Sequence, residues 1–239
     1  MYKIKATHII AFINIFIAIL MFISGVFTER HPLAQTLLFL KFGAQYGPAV
    51  SQGDWFRIFT AMFVHGGILH ILFNTYALIY FGSIVENVYG IPRFVSFYFT
   101  SGIVGNLATQ VFYYKSLSVG ASGAIFGLIG VLFSAGFRRD TPIFVRPFTG
   151  LSLLPIILFN LVYGFIPGSN INNAAHLGGF LTGMLFGYLT TASPYLRRKV
   201  KVAWITVATV LIGIIIASFV FLAIRAPEID ALLRELRGF

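Results

Sequence analysis

The chain has 239 residues, of which 58% are hydrophobic and 10% charged, with a mean hydropathy of +0.88 and a formal net charge of +10. So apolar a chain cannot hide its hydrophobic residues in one water-soluble core, which excludes an ordinary soluble domain and predicts a polytopic membrane protein. Nucleic acid is not the partner the charge implies, because most Lys and Arg sit in short loops between apolar runs; the absence of cysteine excludes a thiol nucleophile, disulfides and thiolate metal sites.

After Lys3 and Lys5, the stretch from His8 to Phe27 is apolar for about 20 residues, enough to cross about 30 Å of hydrocarbon. It reads as a span rather than a cleaved signal, since Thr28-Glu29-Arg30-His31-Pro32 supplies no small-residue cleavage site. Residues 31–66 form a long connection in which Leu33, Leu37, Leu38, Leu40 and Phe42 are interrupted by Lys41, Gly47, Pro48 and Asp54. A structureless loop of that length is improbable in a compact protein, so short helices lying in the outer interface are expected, ending at Asp54-Trp55-Phe56-Arg57.

Further apolar segments fall at 67–88, 92–113, 120–137, 148–166, 173–192 and 202–224, giving seven predicted spans. Continuous rather than alternating runs make them helices, not barrel strands. Loops on the amino-terminal side hold ten basic residues: Lys3, Lys5, Arg93, Arg138, Arg139, Arg146, Arg197, Arg198, Lys199 and Lys201. The opposite side holds Arg30, Lys41, Arg57 and Lys115, with Arg225, Arg234 and Arg237 in the tail. This excess predicts a cytoplasmic amino terminus, an extracellular carboxyl terminus and residence in the cell membrane. Spans two, four and six then run inward from the outer face, and His70, Ser122 and His176, each near the start of its span, meet at similar depth.

Serine becomes a nucleophile when a neighbouring base takes its proton, and histidine is the usual base. A polar residue at membrane depth is a functional candidate by default, which singles out His176. Gly179, Gly183 and Gly187 follow His176 on one helical face, while Gly123, Gly127 and Gly130 stripe the helix that Ser122 opens. Such small residues let two helices approach closely, as a hydroxyl-to-imidazole contact requires. His70 and Asn74, four apart on one face, are donors suited to an oxyanion, and Gly120 frees the backbone ahead of Ser122 so that its amide can join them. Two other motifs fail. Ala124 spoils the Gly-x-Ser-x-Gly elbow of α/β-hydrolases, and His65 with His70 lacks the glutamate and spacing of the His-Glu-x-x-His zinc site. With no acidic residue in the outer half of any span, the catalytic unit reads as a Ser-His dyad.

Together, His70-x-x-x-Asn74, Gly120-x-Ser122-Gly123 and Ala175-His176-x-x-Gly179-x-x-x-Gly183 resemble the rhomboid family of intramembrane serine proteases over about residues 53–189. The resemblance implies an all-α, rhomboid-like six-helix bundle with an additional seventh transmembrane helix: residues 1–200 as catalytic core, 201–239 as seventh span and tail. It implies that Ser122 attacks the peptide carbonyl and that His176 is general base, then general acid. It also implies that His70, Asn74 and the Ser122 amide line the oxyanion hole, that His65 lies nearby, that Arg57 orders residues 31–66 and that Glu86 is structural. The partners it implies are single-span membrane-protein substrates in the lipid bilayer, with no cofactor, metal or nucleic acid. Tryptophan is displaced by one position in Trp55-Phe56-Arg57, and Phe126 stands where many members have tyrosine, so the base would be stacked without a hydroxyl partner. The competing classes are a catalytically silent relative that binds membrane helices, which usually lacks the serine or histidine, and a small transporter, which would show inverted repeats or mid-membrane charges.

Overall fold

Glu86 illustrates how this fold satisfies a buried polar group: its carboxylate accepts from the backbone N–H of Ala6 at 3.0 Å and of Thr7 at 2.9 Å, and from the Thr7 hydroxyl at 2.5 Å. The first turn of a helix has free N–H groups and a positive dipole end, and a buried carboxylate answers both. The helix it caps is α1 (Ala6–Ile23), and Glu86 lies on α6 (Ser83–Tyr89). These elements come from a computed structural model that describes residues 5–169, 171–192 and 200–238. Lys3, Arg197, Arg198 and Lys199, which contribute to the expected orientation, lie outside the described residues.

Residues 31–66 contain the expected short helices: α2 (Pro32–Lys41), α3 (Gly47–Ser51), α4 (Arg57–Thr60) and a 3-10 turn at Ala61–Phe63. The two-residue strand β1 (Gln45–Tyr46) in this segment pairs antiparallel with β2 (Leu117–Ser118), in the register Gln45 to Ser118 and Tyr46 to Leu117. α5 (Ile68–Ala77) continues through a π-helical turn, Leu78–Gly82, into α6. That wider turn re-aims the face carrying Glu86 relative to the face carrying His70 and Asn74. α7 (Ile91–Phe112), α8 (Ser122–Ala135), α9 (Leu154–Tyr163), α10 (Asn173–Leu189) and α11 (Lys201–Arg237) follow, with 3-10 turns at Ile143–Phe148 and Gly150–Leu153.

Four segments are long and apolar enough to cross a membrane by themselves: Ala6–Ile23, Ile68–Tyr89, Ile143–Tyr163 and Lys201–Arg237. The protein is therefore a multi-pass membrane protein; four of the seven expected spans meet that measure, and α7, α8 and α10 do not. α8 has 14 residues and α10 has 17, and α7, though 22 residues long, buries Ser96, Ser101, Asn106 and Thr109. These three helices pack closely on one another, α8 in the centre and α7 and α10 each with one buried polar or glycine-bearing face, while α10 keeps Leu177, Leu181 and Leu185 exposed on its other face. α8 is buried along almost its whole length, as expected of a helix apolar all round.

α11 departs from the expected 202–224 segment. It runs through Pro227 to Arg237 as one 37-residue helix, about 55 Å at 1.5 Å per residue. The region read from sequence as a tail is thus a continuation of the last helix. Ile229 and Leu233 on it are buried in a second apolar cluster with Leu38, Phe39 and Ala44.

Candidate active site

The seam between α8 and α10 is made of backbone against backbone. A Cβ placed on Gly179 would lie 1.9 Å from the Gly123 carbonyl oxygen, one on Gly183 would lie 1.8 Å from that of Gly127, and one on Gly187 would lie 2.4 Å from that of Val131. From the other side, a Cβ on Gly130 would meet the Phe180 carbonyl at 2.2 Å. No side chain fits at these four positions without parting the helices, so the two glycine stripes mate along three turns. α10 also reaches α7, where a Cβ on Gly105 would lie 2.6 Å from the Ala175 carbonyl. Ala175, one residue before His176, is thereby wedged between α7 and α8.

This seam brings His176 to the Ser122 helix. The imidazole lies flat on the Phe126 ring, with centroids 4.1 Å apart and planes 10° from parallel. Phe126 is four residues after Ser122, so both project from one face of α8 a single turn apart. His176 is buried, Ser122 is half-buried, and Ser122 is the first residue of its helix, so its N–H has no acceptor within α8. No hydrogen bond joins Ser122 Oγ to His176 in this structure. Without substrate, such contacts are commonly long and tighten when the reacting group arrives. His176 Nδ1 is buried and has no partner, so no carboxylate orients the ring and the Phe126 face does so instead.

His70 approaches from α5. The Gly66 N–H donates to His70 Nδ1 at 3.2 Å, which in the neutral ring leaves the proton on Nε2. That Nε2 lies against Gly120: a Cβ there would be 2.8 Å from it and 3.8 Å from Ser122 Oγ. Gly120 has φ of +124°, a left-handed conformation that L side chains rarely adopt, and its N–H donates to the Ala61 carbonyl at 3.0 Å. The position therefore demands glycine twice over, for its backbone and for the imidazole beside it. Asn74 is buried one turn below His70 and donates to the His70 carbonyl at 2.9 Å. His65 packs edge-on to His70 with ring centroids 5.2 Å apart, its Nδ1 lies 3.2 Å from the Phe63 carbonyl, and its buried Nε2 has no partner. Among the described residues no three His, Asp or Glu side chains converge to hold a metal ion.

Arg57 is 2% exposed and sits behind the site, donating to the Leu40 carbonyl at 2.6 Å, the Ala44 carbonyl at 3.2 Å and Asp54 Oδ2 at 2.8 Å. It draws α2 and β1 to α4. Trp55, one position removed, packs edge-on to Phe221 of α11. Asn172, which sequence reasoning did not single out, ties the site together. Its Oδ1 caps α10 by accepting from the Ala175 N–H at 3.0 Å, and its amide donates to Thr109 Oγ1 at 2.8 Å and Ser118 Oγ at 3.0 Å. One side chain thus links the helix of His176, the helix α7 and the strand leading to Ser122. An Asn just ahead of an apolar run is a helix-start signal, and that signal was available in the sequence. The adjacent Gly178, whose Cβ would lie 3.1 Å from that of Ala108, gives α10 its second small face toward α7.

Residues 52–193 match the Rhomboid domain family. The chain belongs to the rhomboid family. It is 33% identical over 222 residues to the protein named Rhomboid protease GluP of Bacillus subtilis, which covers 93% of this chain and 41% of that protein. It is 38% identical over 146 residues to the Putative rhomboid protease YdcA of the same organism, covering 60% and 71% of the two chains. It is likewise 38% identical over 156 residues to RHOMBOID-like protein 6, mitochondrial, of Arabidopsis thaliana, covering 64% and 50%. The chain spans about half the length of the curated relatives it matches first.

Proposed function

We propose that this rhomboid protein is an intramembrane serine endopeptidase whose Ser122–His176 dyad hydrolyses peptide bonds in or near the transmembrane segment of single-span membrane proteins. The observation that carries the proposal is the His176 ring lying on Phe126, one helical turn from Ser122, at the end of a seam too tight for any side chain. His176 takes the Ser122 proton as Oγ attacks the carbonyl carbon, and the resulting oxyanion is met by His70 Nε2–H, the Ser122 N–H and the Asn74 amide. His176 then protonates the departing amine, and water, activated by the same imidazole, releases the acyl group. No metal or cofactor is required. Stacking on Phe126 takes the orienting role that a carboxylate plays in a triad.

Length supports a site below the membrane surface. The 14 residues of α8 rise about 21 Å against a hydrocarbon core of about 30 Å, so when Ala135 reaches one interface Ser122 stops short of the other. The end of α8 that carries Ser122 then faces the side that the loop charges assign to the cell exterior, in the cell membrane with the amino terminus in the cytoplasm. A substrate helix must unwind there, because an intact helix keeps its carbonyls in hydrogen bonds. Residues 1–200 then form the catalytic core, with 31–66 as its interfacial segment, and 201–239 are an addition to it. A fluorophosphonate probe tests the nucleophile directly. The parent protein should be labelled at Ser122 and the Ser122→Ala variant left unmarked; equal labelling of the two would remove Ser122 from the mechanism.

A further inference from the structure

The last three turns of α11, from Arg225 to Arg237, lie past its apolar stretch and fold onto the segment 31–66 rather than leaving the protein. Ile229 and Leu233, four residues apart on one face, are buried against Leu38, Phe39 and Ala44. Around them stand three ion pairs: Lys41 Nζ to Asp230 Oδ1 at 2.5 Å, Arg237 to Glu29 at 2.5 Å and Arg225 Nε to Asp54 Oδ1 at 3.4 Å. One turn earlier Leu222 sits where a Cβ on Gly43 would be 3.0 Å away, and Phe221 packs on Trp55 with centroids 5.3 Å apart. Half-exposed ion pairs contribute little singly, so the apolar contact holds this end and the charges set its register.

Asp54 joins this contact to the candidate site. One of its oxygens faces Arg225 and the other accepts from Arg57 Nε at 2.8 Å. Arg57 in turn holds the carbonyls of Leu40 and Ala44, and Ala44 leads directly into β1. β1 pairs with β2, whose Ser118 is also gripped by Asn172, and two residues later comes Gly120 beside His70 and Ser122. An unbroken series of contacts therefore runs from the end of the last helix to the residues in front of Ser122. α2 and α11 both lie outside the 52–193 family match.

We propose that the carboxyl-terminal turns of α11 are an intramolecular clamp that fixes the interfacial segment and, through Asp54, positions the Ser122 loop, with Arg225, Ile229 and Leu233 as positioning residues. The effect on turnover rests on the endopeptidase reading, but closure of the clamp does not. The chain has no cysteine, so nitroxide labels can be placed at Leu33→Cys on α2 and Leu232→Cys on α11, both exposed. In the full-length protein in lipid vesicles, electron resonance should give one narrow distance. The double change Ile229→Asp with Leu233→Asp should broaden and lengthen it, while Ile229→Leu should keep it. In the unlabelled chain, the double variant should react with fluorophosphonate at Ser122 about tenfold more slowly and lower kcat for a single-span substrate similarly, with KM little changed, because positioning rather than affinity is lost. Arg225→Gln removes the link to Asp54 together with a pair to Glu228 on the same helix, and should lower the labelling rate with the distance still narrow; Arg225→Lys should restore it, and Glu228→Gln, which removes only the pair within the helix, should leave the rate at the parent's. A distance unchanged by the double variant overturns the clamp. A distance that opens while labelling and kcat hold overturns the positioning role. Absence of labelling in the parent would instead count against the endopeptidase reading, and the distance measurement would still decide the clamp.

Discussion

α10 and α9 are consecutive helices built to opposite ends. α10 is sunk into α8 and α7 through glycines whose missing side chains bring carbonyl oxygens within 1.8–2.6 Å of where a Cβ would stand. α9, by contrast, buries only Ile157, and its far end is tied by an Asn173 amide donating to the Leu161 carbonyl at 3.1 Å. In a bilayer lipid is as apolar as leucine, so the hydrophobic effect does not press helices together, and tight contact has to come from close packing and hydrogen bonds. The small residues are concentrated where α10 brings His176 beside the Ser122 helix, and α9 is left largely exposed. Rigidity is thus localised on the pair of helices that carry the proposed chemistry, as a preorganised site requires.

The contrast breaks most visibly at Gly183. Gly183→Val places a branched side chain against the Gly127 carbonyl and must part α8 from α10; overpacking of this kind costs about 1–3 kcal/mol or more, and displacement of the base by about 1 Å removes on the order of 100-fold in turnover. Thermal unfolding and cleavage of a single-span substrate measure both. Gly120→Ala should cost nearly as much activity with less stability. Its φ of +124° is strained for alanine, worth about 1–3 kcal/mol, and displacing the neighbouring His70 donor should lower kcat about 100-fold, with KM the lesser change.

The opposite end of the seam gives a smaller, pH-dependent effect. Asp140 follows α8, and Arg138 donates to it through Nε at 2.9 Å while also bonding the Tyr188 carbonyl near the end of α10. Thr191 Oγ1 and the Ala192 N–H also donate to Asp140. Partial burial would raise its carboxyl pKa, but the hydrogen bonds from Arg138 and Thr191 and the charge of Arg138 outweigh it and hold the pKa at about 2. A depressed pKa stabilises the fold above the ordinary carboxylate range, and the contribution is lost as pH falls from about 4 toward 2. Asp140→Asn should lower the melting temperature near neutral pH, with the difference from the parent shrinking over that window. A difference that stays constant down to pH 2 would contradict this role for the Asp140 carboxylate. Smallest of all, Ile157→Ala on α9 should cost below about 2 kcal/mol, the low edge for a buried isoleucine, and leave turnover near the parent's.

Much of the bundle was legible because glycine stripes and a histidine at membrane depth are rare enough to notice. The stripes of Gly123, Gly127 and Gly130 and of Gly179, Gly183 and Gly187 were visible by their spacing, but spacing could not say that they face each other. Their mating is set by how α8 and α10 pack, with Gly179 on the Gly123 carbonyl and Gly183 on that of Gly127. Asn172 was overlooked because a single Asn before an apolar run signals only a helix start, whereas its bonds to Thr109 and Ser118 depend on where α7 and β2 come to lie. α11 was cut short for a related reason. Hydropathy ends near Ile224 and Pro227 reads as a stop, yet Ile229 and Leu233 continue the buried face begun by Ile215 and Leu222. Apolar burial and ion pairing with residues about 190 positions away in sequence outweighed the local signal of one proline.

The most direct measurement is cleavage by purified protein reconstituted in lipid vesicles with a single-span substrate, comparing the parent with Ser122→Ala and His176→Ala. The parent should release a fragment cut in or near the membrane segment, and both variants should lose that activity while keeping the parent's melting temperature. Cleavage undiminished in either variant would contradict the dyad.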